Sequence, residues 1–336
     1  MSGATPTPAV RDPGIDRIPL LLIPAIALFA LPLIPSLPTW VTLTVAGLAM
    51  GMMIFIMASG LTLVFGLMDV MNFAHGAFIT IGAYVATSVL LPLVRWTQVD
   101  NLWLNLAALA PAILAAMLVA GILGWFFERV IIKPVYGQHL KQILITMGGL
   151  IVAEQLIHVI WGAAIIALPK PAALRGSFLF GDIAIEKYRV LAVIVGLVVF
   201  AAMLQVLNRT RVGLLIRAGV EDSEMVEALG YRIRRVFVGV FVSGSALAGL
   251  GGVMWALYQE TVTAAMGMQV MILIFIVIII GGLGSVGGCF IGALLVGLVA
   301  NYVGFLAPKV ALGSNILLMV MILLWRPQGL YPVARR

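Results

Sequence analysis

Apolar stretches of roughly twenty residues, almost free of charge, recur from Pro19 to Trp325, and about that length crosses the hydrocarbon core of a bilayer as a helix. Ten such runs are readable, near 18–36, 39–67, 73–94, 102–127, 141–167, 189–208, 236–258, 266–283, 287–306 and 310–325. The run at 73–94 also reads as a broken or re-entrant helix, so the expected number of spans is about eight to ten. Only 10% of the chain is charged and 63% is hydrophobic, against about a quarter charged in a soluble domain. A surface this apolar cannot face water. The expected fold is all-α, a polytopic transmembrane helix bundle.

The formal charge is +7, and its distribution matters more than its size. Arg209, Arg211, Arg217, Arg232, Arg234 and Arg235 fall in 209–235, and Arg129, Lys133 and Lys141 in 128–141. Arg326, Arg335 and Arg336 close the chain, and Arg11 and Arg17 open it. Ten spans place all of these on one side, as the positive-inside rule requires of the cytoplasmic side. Both termini are therefore expected in the cytoplasm, and nucleic acid is not needed to explain the charge. Residues 1–17 read as a polar tail, and 18–336 as a single membrane domain that keeps its first apolar run as a span. The polar stretch 168–188 then faces outward, where 177–180 and 183–185 read as a small hairpin.

An intramembrane enzyme would show a catalytic set such as HExxH, GxSxG or paired aspartates, and the chain has none. His75, His139 and His158 lack metal-ligand spacing, and Cys289, the single cysteine, reads as a small packing residue. No catalytic or metal-binding residue is assigned, and no Walker A sequence is present. Gly47 and Gly51, and Gly284, Gly288 and Gly292, recur at four-residue spacing, which lets neighbouring backbones approach closely.

Polar groups inside apolar runs are functional candidates by default. Asp69, Asn72 and His75 interrupt one run, where broken backbone lines a water path or makes a short cytoplasmic turn. Glu154 and His158, four apart on a helix, can face and bond each other. Asn72, His75, Glu154 and Gln259 are the candidates for a translocation path. The segment 220–230 reads as a short helix capped by Asp222 or Ser223 and stopped by Gly230, with acidic residues where the helix dipole favours them. Met225, Val226 and Leu229 supply an apolar patch. So short a helix is unstable alone, and its acidic side chains argue for a protein partner rather than anionic lipid.

Four segments carry a resemblance. They are Gly60-Leu-Thr-Leu-Val-Phe-Gly66 with Asn72-Phe-Ala-His-Gly76 and Gly82-Ala-Tyr84; Thr146-Met-Gly-Gly-Leu150 through Glu154 to Trp161 and Gly162; 213–230; and 281–293 with the ending Arg326-Pro-Gln-Gly-Leu330. In order and spacing the chain resembles, over 42–331, the Liv-type permeases of branched-chain amino-acid ABC transporters. Gly148-Gly149 departs from the Gly-Leu-Ser usual there. The resemblance implies a pathway of two related or identical permeases in the inner membrane, a periplasmic solute-binding protein and two cytoplasmic ATPases that bind the ATP, with no cofactor on this chain. It also implies that 217–230, within 209–235, is the cytoplasmic coupling helix, with Arg217, Glu221, Asp222, Glu224, Met225, Leu229 and Gly230 meeting the ATPase. Relatives of this kind import urea, short amides and small acids as well as branched-chain amino acids. A proton-coupled secondary transporter using Glu154 and His158, or a urea or amide channel, is the alternative reading.

Overall fold

A computed structural model describes residues 18–332. The expected tail 1–17, with Arg11 and Arg17, and the terminal Arg335 and Arg336 lie outside the described residues. Helices dominate: α1 (Ile18–Ala30), α2 (Leu37–Met68), α3 (His75–Leu90), a single turn α4 (Val94–Thr97), α5 (Leu102–Phe127), α6 (His139–Trp161) and α7 (Lys187–Arg209). There follow α8 (Arg211–Glu221), α9 (Ser223–Ala228), α10 (Ile233–Gln259), α11 (Met266–Gly281), α12 (Val286–Leu306) and α13 (Ala311–Trp325). Each of the ten expected apolar runs holds one of α1, α2, α3, α5, α6, α7 and α10 to α13. Among the described residues six of these helices are long and apolar enough to span a bilayer, and α1, α3, α11 and α13 belong to shorter apolar segments.

The centre of the bundle is α2, which packs against α12, α10 and α7. In the membrane no hydrophobic effect drives helices together, so close backbone contact must do so. The four-residue glycine spacing serves this purpose. A Cβ at Gly47 would lie 2.8 Å from Leu298 Cα, and one at Gly51 2.7 Å from the Ala293 carbonyl oxygen, so α2 and α12 meet backbone to backbone. Gly60 and Gly244 join α2 to α10 in the same way. Cys289 is fully buried on α12, the packing role expected of it. By contrast, only 17% of the apolar window of α6, and of α7, is buried. These helices turn most of their side chains outward.

Capping residues set several helix ends. Ser36, Asn101 and Ser285 accept backbone N–H bonds at the starts of α2, α5 and α12. Asp69 ends α2 in the left-handed region at φ 51°. The chain then doubles back over 69–74, and His75 Nε2 donates to the Met57 carbonyl at 2.8 Å. Met57 lies eleven residues before the end of α2, roughly 16 Å along its axis at 1.5 Å per residue. The break expected from Asp69 and Asn72 is thus a re-entrant stretch leading into a short helix. Thr146 on α6 holds it, its Oγ accepting from Phe73 N at 3.2 Å and donating to the Gln142 carbonyl at 2.7 Å.

The ending 326–330 folds back on the bundle. Leu330 N donates to the Ile280 carbonyl and Tyr331 N to that of Gly281, at 2.8 and 3.0 Å, and Leu330 is buried. Gly329, at φ 85°, lies against Gly282, where a Cβ would come 2.5 Å from Gly282 Cα.

The segment expected to face outward contains the expected hairpin, β2 (Ser177–Phe180) paired antiparallel with β3 (Ile183–Glu186), with Phe180 opposite Ile183. A second pairing was not legible in the sequence: β1 (Ile166–Ala167) lies antiparallel to β4 (Thr261–Val262). Beside it Lys170 Nζ reaches Glu260 Oε1 at 3.1 Å and Glu186 Oε2 at 3.8 Å, and Arg189 reaches Glu186 at 3.0 Å. This cluster ties the start of α7 to the end of α10.

Candidate functional site

The short capped helix expected within 220–230 is present as α9. Asp222, extended at φ −155°, caps it, its Oδ1 accepting from Met225 N at 2.9 Å. The far end closes with Tyr231 N donating to the Val226 carbonyl at 3.2 Å and Gly230 N to that of Glu227 at 2.9 Å. Gly230 takes φ 86° there, a conformation glycine adopts without penalty. Glu224 in the first turn sits where the helix dipole favours an anion. Replacing Asp222 by Ala is expected to cost about 1 kcal/mol of local stability and to speed amide exchange across 223–228 without shifting exchange in α2. Equal exchange in both proteins would show that the cap does not hold α9.

The apolar patch divides between two faces. Val226 is buried against the body, whereas Met225 and Leu229 are 62% and 70% exposed. Only two of the three residues are available to a partner, because consecutive helical positions are about 100° apart and 225 and 229 share the face that 226 leaves. Asp222, Glu224 and Glu227 are exposed with them. Glu221 closes α8 just before the cap.

The sequence reading missed α8 as a separate helix. Thr210 Oγ1 accepts from Gly213 N at 3.1 Å and caps it, a signal that Thr210 offered in the sequence. α8 packs against α7, α2 and α10, with Ile216 buried and Val212 and Leu214 exposed. Arg217 donates to Asn208 Oδ1 at 3.0 Å, which ties α8 back to the end of α7. The result is a two-helix segment, α8 then α9, packed on three helices yet presenting one acidic and apolar edge.

The four path candidates do not gather at one point. Asn72 and His75 lie together in the re-entrant stretch, both buried, and Asn72 Oδ1 has no hydrogen-bond partner. Glu154 is part-buried on α6, and Gln259 is exposed at the C-terminal end of α10. Glu154 and His158 make no ion pair within 4.0 Å, and His158 Nδ1 is buried without a partner. A different recess of about 510 Å³ opens between α2, α10, α12 and α13, with Tyr258, Asn301 and Asn315 among its walls. Asn315 Oδ1 there is buried and unpartnered. Among the described residues no group of three His, Cys, Asp or Glu gathers in a metal-binding arrangement.

Comparison with known proteins now decides the family. The model of the branched-chain amino acid transport system permease component matches residues 43–325. This chain belongs to that permease family. The permease is 28% identical to the high-affinity branched-chain amino acid transport system permease protein LivH of Escherichia coli, over 84% of this chain and 92% of that one. It is 27% identical to BraD of Pseudomonas aeruginosa, named for the same transport system, over 88% and 97%. A probable LivH of Methanocaldococcus jannaschii is 23% identical over 83% and 88%. No solved structure matches. The permease is an integral membrane transport subunit, not an enzyme.

Proposed function

We propose that this permease forms part of the transmembrane pathway of an ATP-driven importer for branched-chain amino acids or a closely related small solute, and that α9 receives the force. The carrying observation is the presentation of α9: capped at both ends, seated through Val226, and exposing Met225, Leu229 and three carboxylates. Relatives named for branched-chain amino acid transport support the solute class. Separate cytoplasmic ATPases bind the ATP, a second permease completes the path, and a periplasmic solute-binding protein delivers the solute. The α8–α9 face and both termini lie in the cytoplasm, with the protein in the inner membrane, in keeping with the arginines of 209–235. The chain itself carries no cofactor.

Closure of the ATPases presses on α9. Because α8 is packed on α7, α2 and α10, the push reaches the helices around which the bundle is built. Asn72 and His75 are the proposed wall of the path, with Glu154 and Gln259 farther along it.

The test is uptake of radiolabelled leucine and urea into proteoliposomes holding the complete complex, with and without internal ATP. Leucine uptake that needs ATP and falls to background in Glu224→Arg/Met225→Arg, with the fold intact, is the expected result. Uptake that persists without ATP, or follows a proton gradient, would sink this reading.

A further inference from the structure

We propose that the permease carries a bound anionic phospholipid, its phosphate in a basic recess below α10 and an acyl chain in the apolar groove that continues from it. The recess, about 690 Å³, is walled by Arg129 and Lys133 from the end of α5 and by Arg232, Arg234 and Arg235 at the start of α10. Glu227 is the one carboxylate on its wall, which leaves a net of four positive charges. Among the described residues none of the five cations makes an ion pair within 4.0 Å. A net of four positive charges at the end of membrane spans calls for an anion. Basic pockets at this level hold lipid head groups.

The local fold explains why the cations converge. After Phe127 the helix continues through a π turn, Glu128–Ile132, which buries Glu128 and Ile132 and leaves Arg129 exposed. Tyr136 donates to Glu128 Oε1 at 3.3 Å. Burial and the Glu128 charge push its phenol well above the ordinary range, while Arg234 pulls it back. Glu128 is thus buried and held through Oε1 by Tyr136, its Oε2 buried without a hydrogen-bond partner. Among the described residues it makes no ion pair within 4.0 Å with the exposed arginines.

The second half of the site is apolar. A groove of about 720 Å³ runs between α7 and α10, with Val199, Met203, Val236 and Val240 among its walls. Arg235 lines both the groove and the recess, so the two spaces share a rim. Gly239 on the groove wall has nothing within 4 Å of where a Cβ would stand. One cationic end joined to one hydrocarbon-lined channel is the shape of a phospholipid. An acidic surface of an ATPase would meet the recess and leave the groove unfilled.

The experiment uses the full chain taken up from vesicles of mixed phosphatidylglycerol and phosphatidylcholine, with retained lipid read by native mass spectrometry. The native protein retains phosphatidylglycerol in preference to phosphatidylcholine. Arg234→Gln/Arg235→Gln lowers that retention about thirtyfold, and Gly239→Leu, which fills the groove and leaves every cation, lowers it as well. Inorganic phosphate at millimolar concentration does not displace the lipid. Equal retention of both lipids, or unchanged retention in either variant, overturns the proposal. So does displacement by phosphate alone, which makes the recess a site for free anions. A double-arginine variant that keeps its lipid but loses the co-purifying ATPases makes it a protein-docking surface instead. Both variants alter exposed positions, and an unchanged thermal midpoint verifies their fold.

Discussion

A valine at Gly51 is expected to prevent the permease from accumulating as a folded protein. Its Cβ would stand 2.7 Å from the Ala293 carbonyl oxygen and 2.9 Å from Leu294 Cα, and neither atom is the movable end of a side chain. The helices must therefore separate, and the contact between α2 and α12 is one of the broadest in the bundle. Overpacking costs about 1–3 kcal/mol even where side chains give way. Here the backbone must move, so the effect is placed at or above that upper value. Gly148 supplies the contrast, because nothing lies within 4 Å of where its Cβ would be. Alanine there is expected to raise stability slightly, since alanine is the better helix former by about 1 kcal/mol. Fluorescence-detected gel filtration of the detergent extracts compares the two. A monodisperse Gly51→Val protein of normal midpoint would show that α2 and α12 do not rely on this approach.

The second large effect is expected at His75. Its ring is buried and its Nε2 donates to the Met57 carbonyl at 2.8 Å, and this bond pins the re-entrant stretch against α2. Alanine removes the bond and leaves a cavity, together worth about 3 kcal/mol. The thermal midpoint in detergent should fall accordingly, and protease should gain access to 69–74. If midpoint and cleavage both match the native protein, the histidine does not pin this stretch.

Sequence was most informative where the bilayer imposes the pattern. The runs read at 39–67, 102–127 and 287–306 end within two residues of α2, α5 and α12, because lipid tolerates no half-measures in backbone bonding. The run at 141–167, by contrast, overshot α6 and took in β1. The two short apolar pieces at 177–180 and 183–185 marked the β2–β3 hairpin locally. The β1–β4 pairing was invisible, because two-residue strands about a hundred positions apart leave no periodic signal. Which way Val226 faces was equally hidden, since the patch reading counted residues rather than helical angle. The same limit applies to Glu154 and His158: spacing put them within reach, and side-chain rotation left them unbonded. Nor could spacing show that Asn72 and His75 share one stretch while Gln259 stands exposed at the C-terminal end of α10.

The burial of Cys289 has a practical reach. A thiol reacts as its thiolate and only where reagent can enter, and the chain's single sulfhydryl is sealed between α12 and its neighbours. The native permease is therefore silent to water-soluble maleimides without any residue being removed. A cysteine placed at exposed Leu229 becomes the sole labelled position, so a spin label or fluorophore on α9 can be followed through the nucleotide cycle in an otherwise unaltered chain.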